Sequence, residues 1–255
     1  MTGVQTCALP ICLPTAELID LVAHRLFPGK IAVVSSFGAE SAVLLDLVAE
    51  VDPSIPVLFV DTEKLFGETL RHRDRLAQRL GLTDVRTIRP DRAETSAEDR
   101  DGMLFHRDAD ACCALRKVRP LARAIGDFDA WISGRKRFQA TTRAAIPTFE
   151  ADGARIKVNP LAAWSPQALA DRIAARDLPA HPLVAQGYPS IGCMPCTSRV
   201  AAGEDPRAGR WRGQDKTECG IHLGLAAETE HDGRDRKSTR LNSSHEWISR
   251  MPSSA

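Results

Sequence analysis

No apolar run in this 255-residue chain approaches the roughly 20 residues a helix needs to span a bilayer, so no membrane partner is expected. Charge of one sign is missing as well. Lys and Arg number 34 against 33 Asp and Glu, and the net charge of +1 gives no overall attraction to nucleic acid or to an acidic membrane. The start of the chain lacks a basic segment followed by an apolar one, so a secretory signal is not expected. Cysteine is sparse: seven are too few for a disulfide scaffold. With a C-x-x-C among them, they suit metal or redox use in a reducing, cytoplasmic compartment. No internal repeat is visible. What is present, 43% hydrophobic and 26% charged residues, is enough for one sizeable core with a short appended lobe.

Both ends look foreign. Residues 1–12, which carry Cys7 and Cys12, and residues 236–255 resemble translated sequencing-adapter fragments. Residues 1–14 are therefore set aside as a non-native extension, and 226–255 as a disordered tail, non-native from about 236. Between them, residues 15–202 read as the main domain and 203–225, rich in Gly, Arg, Asp and Glu, as a mobile arm.

From residue 15 the pattern is regular. Thr15 is placed to cap a helix over 16–27, stopped by Pro28 and Gly29. Residues 30–35 form a continuous apolar run that suits a strand buried on both faces. Helix 41–51, strand 56–61, helix 66–80 and strand 85–88 follow. A helix from about Cys112 ends at 120–125, and strands at 130–134 and 156–159 complete the set. Strands alternating with helices predict an α/β fold with an open, mostly parallel sheet, whose ligands sit outside the carboxyl ends of the strands.

The chemistry concentrates in the cysteines. Cys112-Cys113 and Cys193-Met194-Pro195-Cys196 make two pairs, and Cys219 stands apart. Four converging thiolates suit a soft metal or an iron–sulfur cluster, and a fifth outside the set is free to be a nucleophile. Adjacent side chains on a helix diverge. Both Cys112 and Cys113 reach one centre only if it is large or the backbone bends, which favours a cubane over a tetrahedral zinc. The turn at Ser35-Ser36-Phe37-Gly38-Ala39-Glu40-Ser41 lies between a strand and a helix, where backbone N–H groups attract an anion. It lacks the Gly-Lys-Ser/Thr ending of a Walker A loop and resembles the PP-loop of the adenine-nucleotide hydrolase-like superfamily. Residues 134–143 (GRKRFQATTR) bring four cationic side chains to the same sheet edge.

Taken in order, the serine loop, the stretch from Cys112 to Lys117, the Arg-rich stretch, the residues around Cys193 and Cys196, and Glu218-Cys219-Gly220-Ile221-His222 resemble the cluster-containing branch of the phosphoadenylyl-sulfate reductase family, the assimilatory adenylyl-sulfate reductases. The resemblance covers about residues 15–225. It implies a [4Fe-4S] cluster on Cys112, Cys113, Cys193 and Cys196, with Cys219 as nucleophile on a segment that closes over adenylyl sulfate. Substrate contacts would come from Ser35, Ser36, Phe37, Gly38 and Glu40, and from Asp61 and Thr62 after the second strand. Arg116, Lys117, Arg135, Lys136, Arg137, Arg143, Arg207, Arg210 and His222 complete the implied set. The chain departs from the usual pattern where Asp61-Thr62-Glu63 replaces Asp-Thr-Gly, and in residues 178–184, where many relatives carry Asn-Ser-Leu-His.

The implied reaction is attack of Cys219 on the sulfur of adenylyl sulfate, expulsion of AMP, and release of sulfite from the S-sulfo-cysteine by thioredoxin or a similar dithiol protein. Glu218 and His222 flank Cys219, and either could tune its pKa. Self-association into a homo-oligomer is admitted. Three alternatives stay open: the 3′-phosphorylated substrate, a PP-loop sulfur transferase acting on tRNA, and a regulatory module in which four thiolates hold structural zinc.

Overall fold

The apolar runs become the strands of a single sheet in the computed structural model, which describes residues 13–214, 216 and 218–222. They are β1 (Ile31–Ser35), β2 (Val57–Val60), β3 (Val85–Ile88), β4 (Ala130–Ser133), β5 (Phe149–Asp152) and β6 (Arg155–Val158). Their order is β3-β2-β1-β4-β6-β5, parallel except where β5 returns against β6. The chain winds outward from β1 through β2 to β3, then comes back to place β4 on the other side of β1. The strand order reverses between β1 and β4, where open sheets leave a crevice. The expected α/β sheet is therefore present.

Successive side chains on a strand face opposite ways, so each central strand feeds two cores. Val33, Val57, Phe59, Ile132 and Val158 pack on one face against α1 (Thr15–Asp20), α2 (Ser41–Val51) and α8 (Pro166–Ala175). Ala32, Leu58 and Trp131 pack on the other against Val118, Leu121 and Ile125. Leu121 belongs to α7 (Arg119–Ala124). The helix α3 (Gly67–Leu80) ends at Gly81, which takes the left-handed φ of +67° that stops a helix cleanly.

Several expectations shift. Thr15 is the first residue of α1 rather than its cap, because its hydroxyl accepts a hydrogen bond from the Trp164 indole (2.9 Å). The first helix continues from α1 as a π-helical segment (Leu21–Leu26). The helix expected near Cys112 is three joined pieces: α6 (Ala109–Cys113), a π-helical segment (Ala114–Val118) and α7. Two short helices precede it, α4 (Arg92–Glu98) and α5 (Leu104–Arg107). The stretch after 203 is exposed at 203–206 and 212–214 and docks on the domain between them. Trp211 is buried, and Arg210 bridges to Thr197. No helix among the described residues is long and apolar enough to cross a membrane. Residues 1–12 of the expected extension, with Cys7 and Cys12, and the 226–255 tail lie outside the described residues, as do 223–225 of the arm and the side chain of His222. Leu13, also set aside, packs against the core.

Candidate active site

At the carboxyl ends of β1, β2 and β4 lies a cavity of about 300 Å³. Its lining brings together Ser35, Ser36, Gly38 and Glu40 of the serine loop, Lys117, Arg135, Lys136 and Arg143, and Arg207, Arg210 and Cys219. The serine loop and the Arg-rich stretch thus converge on one crevice from opposite sides of the switch point. The start of α2 borders it through Ala39, Glu40 and Ser41, where helix-terminal N–H groups favour an anion. Ser35 fixes the loop by accepting a hydrogen bond from the Phe37 N–H (3.2 Å).

Not every expected contact reaches the cavity. Phe37 takes a left-handed φ of 49° and buries its ring edge-on against Phe59 at 5.4 Å, so it is a core residue that turns the loop. Asp61 receives the Glu63 N–H (3.0 Å) and pairs with Arg89 (3.3 Å). Arg137 donates to the Ile146 carbonyl (3.0 Å), which anchors the loop without lining the cavity. Arg135 and Lys136 line it, yet both are already paired. Glu150 takes the Arg135 guanidinium, and Glu40 takes the Lys136 ammonium at 2.7 Å. Arg143 in turn meets Glu218 at 2.6 Å, so three cations of the expected run are paired. Lys117 and Arg210 add charge to the cavity from outside the run.

A second, smaller cavity adjoins the first and is lined by Cys112, Cys113, Cys193 and Cys196 together. The first pair arrives at the end of α6, whose start is capped by Asp108, which accepts from the N–H groups of Asp110 (2.9 Å) and Ala111 (2.8 Å). Straight after Cys113 the helix widens into its π-helical segment. The backbone thus changes pitch at the point where vicinal cysteines must serve one space. The second pair is tied to the loop after β2: Leu65 bridges Cys193, and the Met194 N–H donates to the Lys64 carbonyl (2.7 Å). Thr62 stands at the same place with its hydroxyl 3.2 Å from the Cys193 sulfur. The five described cysteines are free thiols. No three His, Cys, Asp or Glu side chains among the described residues gather on one ion-sized point.

The π-helical segment also sorts the two cations that follow. Arg116 is buried against Asp99 (2.8 Å), the Thr62 carbonyl (3.1 Å) and Glu63 (3.2 Å). Lys117 faces the thiols and alone lines both cavities among the described residues. Burial would lower its pKa, but the neighbouring cysteines, Cys193 and Cys219 first, outweigh burial and raise it. Burial likewise pushes the Cys112 thiol up to about 11. Cys219 is held well below the ordinary thiol range, first by a hydrogen bond from Cys113, then by Lys117, the Ile221 N–H and Arg210. Arg210 is pressed between the cavities with its guanidinium over the Trp211 ring (4.5 Å) and its Nε buried without a hydrogen-bond partner among the described residues.

Sequence reasoning missed part of this lining: Gly192, Gln139, Phe138 and the residues around Pro206. Phe138 and Gln139 lie within the Arg-rich stretch and Gly192 one residue before the C-x-x-C, so each carried a signal by position. It also missed the role of Glu218, whose carboxylate is taken by Arg143 instead of tuning Cys219.

An open, mostly parallel sheet with a cation-lined crevice at its switch point and thiols beside it defines a PP-loop type of fold. Residues 30–199 match the phosphoadenosine phosphosulfate reductase domain, and the chain belongs to that family. It is 55% identical over 211 residues to an adenosine 5'-phosphosulfate reductase of Mesorhizobium japonicum, covering 83% of each chain. A protein of the same name from a Chelativorans species is 52% identical, with 85% of this chain and 89% of that one covered. Among solved structures, the phosphoadenylyl-sulfate reductase of Candida auris in complex with phosphate superposes with a TM-score of 0.62 at 26% identity, over 74% of this chain and 92% of that one.

Proposed function

We propose that the protein reduces adenylyl sulfate to sulfite and AMP, with Cys219 as the nucleophile and a dithiol protein of the thioredoxin kind as reductant. One observation carries the reading. Cys219 lines the same cavity as the serine loop, beside Lys117, Arg143, Arg207 and Arg210.

The sulfuryl group carries three oxygens of negative charge, so an approaching thiolate is repelled unless cations neutralise them. Lys117 and the three arginines supply preorganised charge where the repulsion is greatest. The start of α2 and the serine loop would hold the phosphate side of the adenylate and keep the sulfur within reach of Cys219. The Cys219 thiolate forms a bond to sulfur while the sulfur–oxygen bond to AMP breaks, leaving S-sulfo-Cys219. A thiolate of the partner then attacks the Cys219 sulfur and sulfite leaves with the bonding pair. The partner's second thiol resolves the mixed disulfide, so two electrons come from the dithiol.

Cys112, Cys113, Cys193 and Cys196 would hold a [4Fe-4S] cluster. The fit rests on four free thiols around one space, the π-helical widening that lets neighbouring cysteines share it, and the Thr62 hydroxyl at the Cys193 sulfur. When bound, the cluster would set net negative charge against Lys117, linking it electrostatically to the substrate cavity. A tRNA sulfur transferase would leave Cys219 in the cavity without a task.

The test is Cys219→Ser, expected to retain iron and AMP binding while sulfite release from adenylyl sulfate falls by about 10³-fold or more, the scale of losing a nucleophile. Wild-type protein given adenylyl sulfate without reductant is expected to gain the mass of a sulfonate on Cys219, removable by dithiol. Normal turnover from Cys219→Ser, with no adduct in the wild type, would sink the mechanism.

A further inference from the structure

We propose that Glu218 is a latch: a positioning residue whose carboxylate plugs into the cavity's arginines and so sets the neighbouring Cys219 over the reacting sulfur. The inference rests on the reading of Cys219 given above.

The observation is a fork-to-fork ion pair. Arg143 Nε donates to Glu218 Oε1 (2.6 Å) and Arg143 Nη2 to Oε2 (2.6 Å), while Thr142 Oγ1 reaches Oε1 at 3.2 Å and Arg207 stands 3.6 Å from Oε2. The side chains of Arg143 and Glu218 are only 9% and 11% exposed. Arg143 is itself held from behind, its Nη1 donating to Gln139 (2.6 Å), whose amide nitrogen is fixed on Glu40 (2.6 Å). The socket is therefore anchored to the start of α2, a rigid part of the sheet layer. Glu218 and Cys219 are adjacent in the chain, so a bidentate grip on one leaves the other little freedom of position.

A second tether lies two residues upstream. Lys216 pairs with Asp110 at the beginning of α6 and faces the Trp211 ring at 5.7 Å, with its side chain 6% exposed. Lys216 and Glu218 thus each hold this stretch by an ion pair, one to α6 and one to the Arg143 socket. The two differ in kind. The Asp110 carboxylate is 83% exposed and screened by solvent, whereas the Arg143 socket is largely desolvated. Glu218 is the stronger tether. The socket is built from cations that the substrate also needs, so the carboxylate and the sulfuryl group share Arg143 and Arg207. Such a latch closes the segment firmly enough to aim Cys219 and still releases it when a thiol partner must reach the sulfur.

The test compares wild-type, Glu218→Gln and Glu218→Asp proteins, full length and without substrate, under limited trypsin. Cleavage after Lys216 is followed by mass, and alkylation of Cys219 by iodoacetamide is followed by peptide. Glu218→Gln keeps the shape and removes the charge. Its cleavage and alkylation rates should both rise by about tenfold or more, because local opening governs both. AMP binding stays within about threefold. Glu218→Asp, with the charge retained on a shorter stem, should fall between. In turnover, Glu218→Gln should lose kcat rather than affinity, with a drop of about tenfold. Wild-type cleavage rates in Glu218→Gln would overturn the proposal, and so would faster alkylation without faster cleavage, which would mark a change in thiol reactivity alone. Normal turnover from Cys219→Ser would remove the nucleophile but leave the substrate-free cleavage result standing, so the two readings fail separately.

Discussion

At the scale of single residues, the cavity depends on where side chains are absent as much as on where they are present. A Cβ built at Gly192 would stand 2.3 Å from Arg210 Nη2 and 2.5 Å from its Cζ. The guanidinium lies against bare backbone and cannot stay there once a methyl group arrives. Because the clash is with the end of a flexible side chain, Gly192→Ala should cost little stability, about 1 kcal/mol or less. It should displace Arg210 and raise KM for adenylyl sulfate by about fivefold or more, as lost charge complementarity predicts. An unchanged KM with normal folding would show that Arg210 has another seat. The cysteines and most of the cations were legible in the sequence, because their residue types announce chemistry. Their partners were not. Arg135, Lys136 and Arg143 look alike in a string of letters, and only tertiary placement shows that Glu150, Glu40 and Glu218 take them. The departure at Glu63 also gains a physical meaning. Its φ of 60° is the left-handed conformation that the usual glycine adopts freely, and its carboxylate contacts Arg116 in partial return.

At the scale of elements, the cysteine-bearing helix is held from below by one buried pair. Asp99 accepts from the Leu104 N–H (2.8 Å) and from Arg116 Nε (3.0 Å), and its carboxylate is fully buried. Asp99→Ala leaves the Arg116 charge buried with only the Thr62 carbonyl and Glu63 to meet it. The expected cost is about 3 kcal/mol, read as a lowered urea midpoint. A midpoint within about 0.5 kcal/mol of wild type would show that Glu63 takes over the charge. Long amphipathic elements with clear stops, such as α2 and α3, were readable from periodicity alone. The hairpin of β5 and β6 was read only in its second half, because Phe149–Asp152 shows no apolar run. It joins the sheet through tertiary contacts, the Trp131 indole donating to Asp152 (2.8 Å) and Lys157 sitting over the same ring (4.8 Å). The start of α8 carried a plain signal that was overlooked, Ser165 capping at the Ala168 N–H with Pro166 next. The π-helical segments could not be foreseen, since their cause is the packing around them.

At the scale of the whole molecule, the layers are pinned by a pair of buried histidines. His72 of α3 packs against His181 with ring centroids 4.7 Å apart. His181 Nδ1 accepts from the Leu183 N–H (3.2 Å), which leaves Nε2 to donate to Thr69 (3.1 Å) and fixes the neutral ring. Burial lowers both pKa values from 6.5 to about 4, helped for His72 by Arg75 and for His181 by His72. Between pH 4 and 6.5 the unfolded chain binds more protons than the folded one. Stability therefore rises with pH through that window and is lost on acidification from 6.5 towards 4, with no further loss from these groups below it. The expected loss is roughly 2 kcal/mol per ring by pH 5. A urea midpoint measured at pH 7 and pH 5 checks this, and His72→Phe should flatten the dependence. An equal slope in that variant would point to carboxylates instead.

The parallel strands all end on the edge that carries the cavity, so all of them begin at the opposite edge. The turns there expose Gly29, Ser54, Thr83, Asp127 and Ala154, and none of them lines either cavity. Chain direction alone has given the protein a back. A chemical handle placed at Ser54 or Asp127 would fix the molecule to a solid support with the mouth of its crevice turned to the medium. Solutes of any size would then have free approach to it.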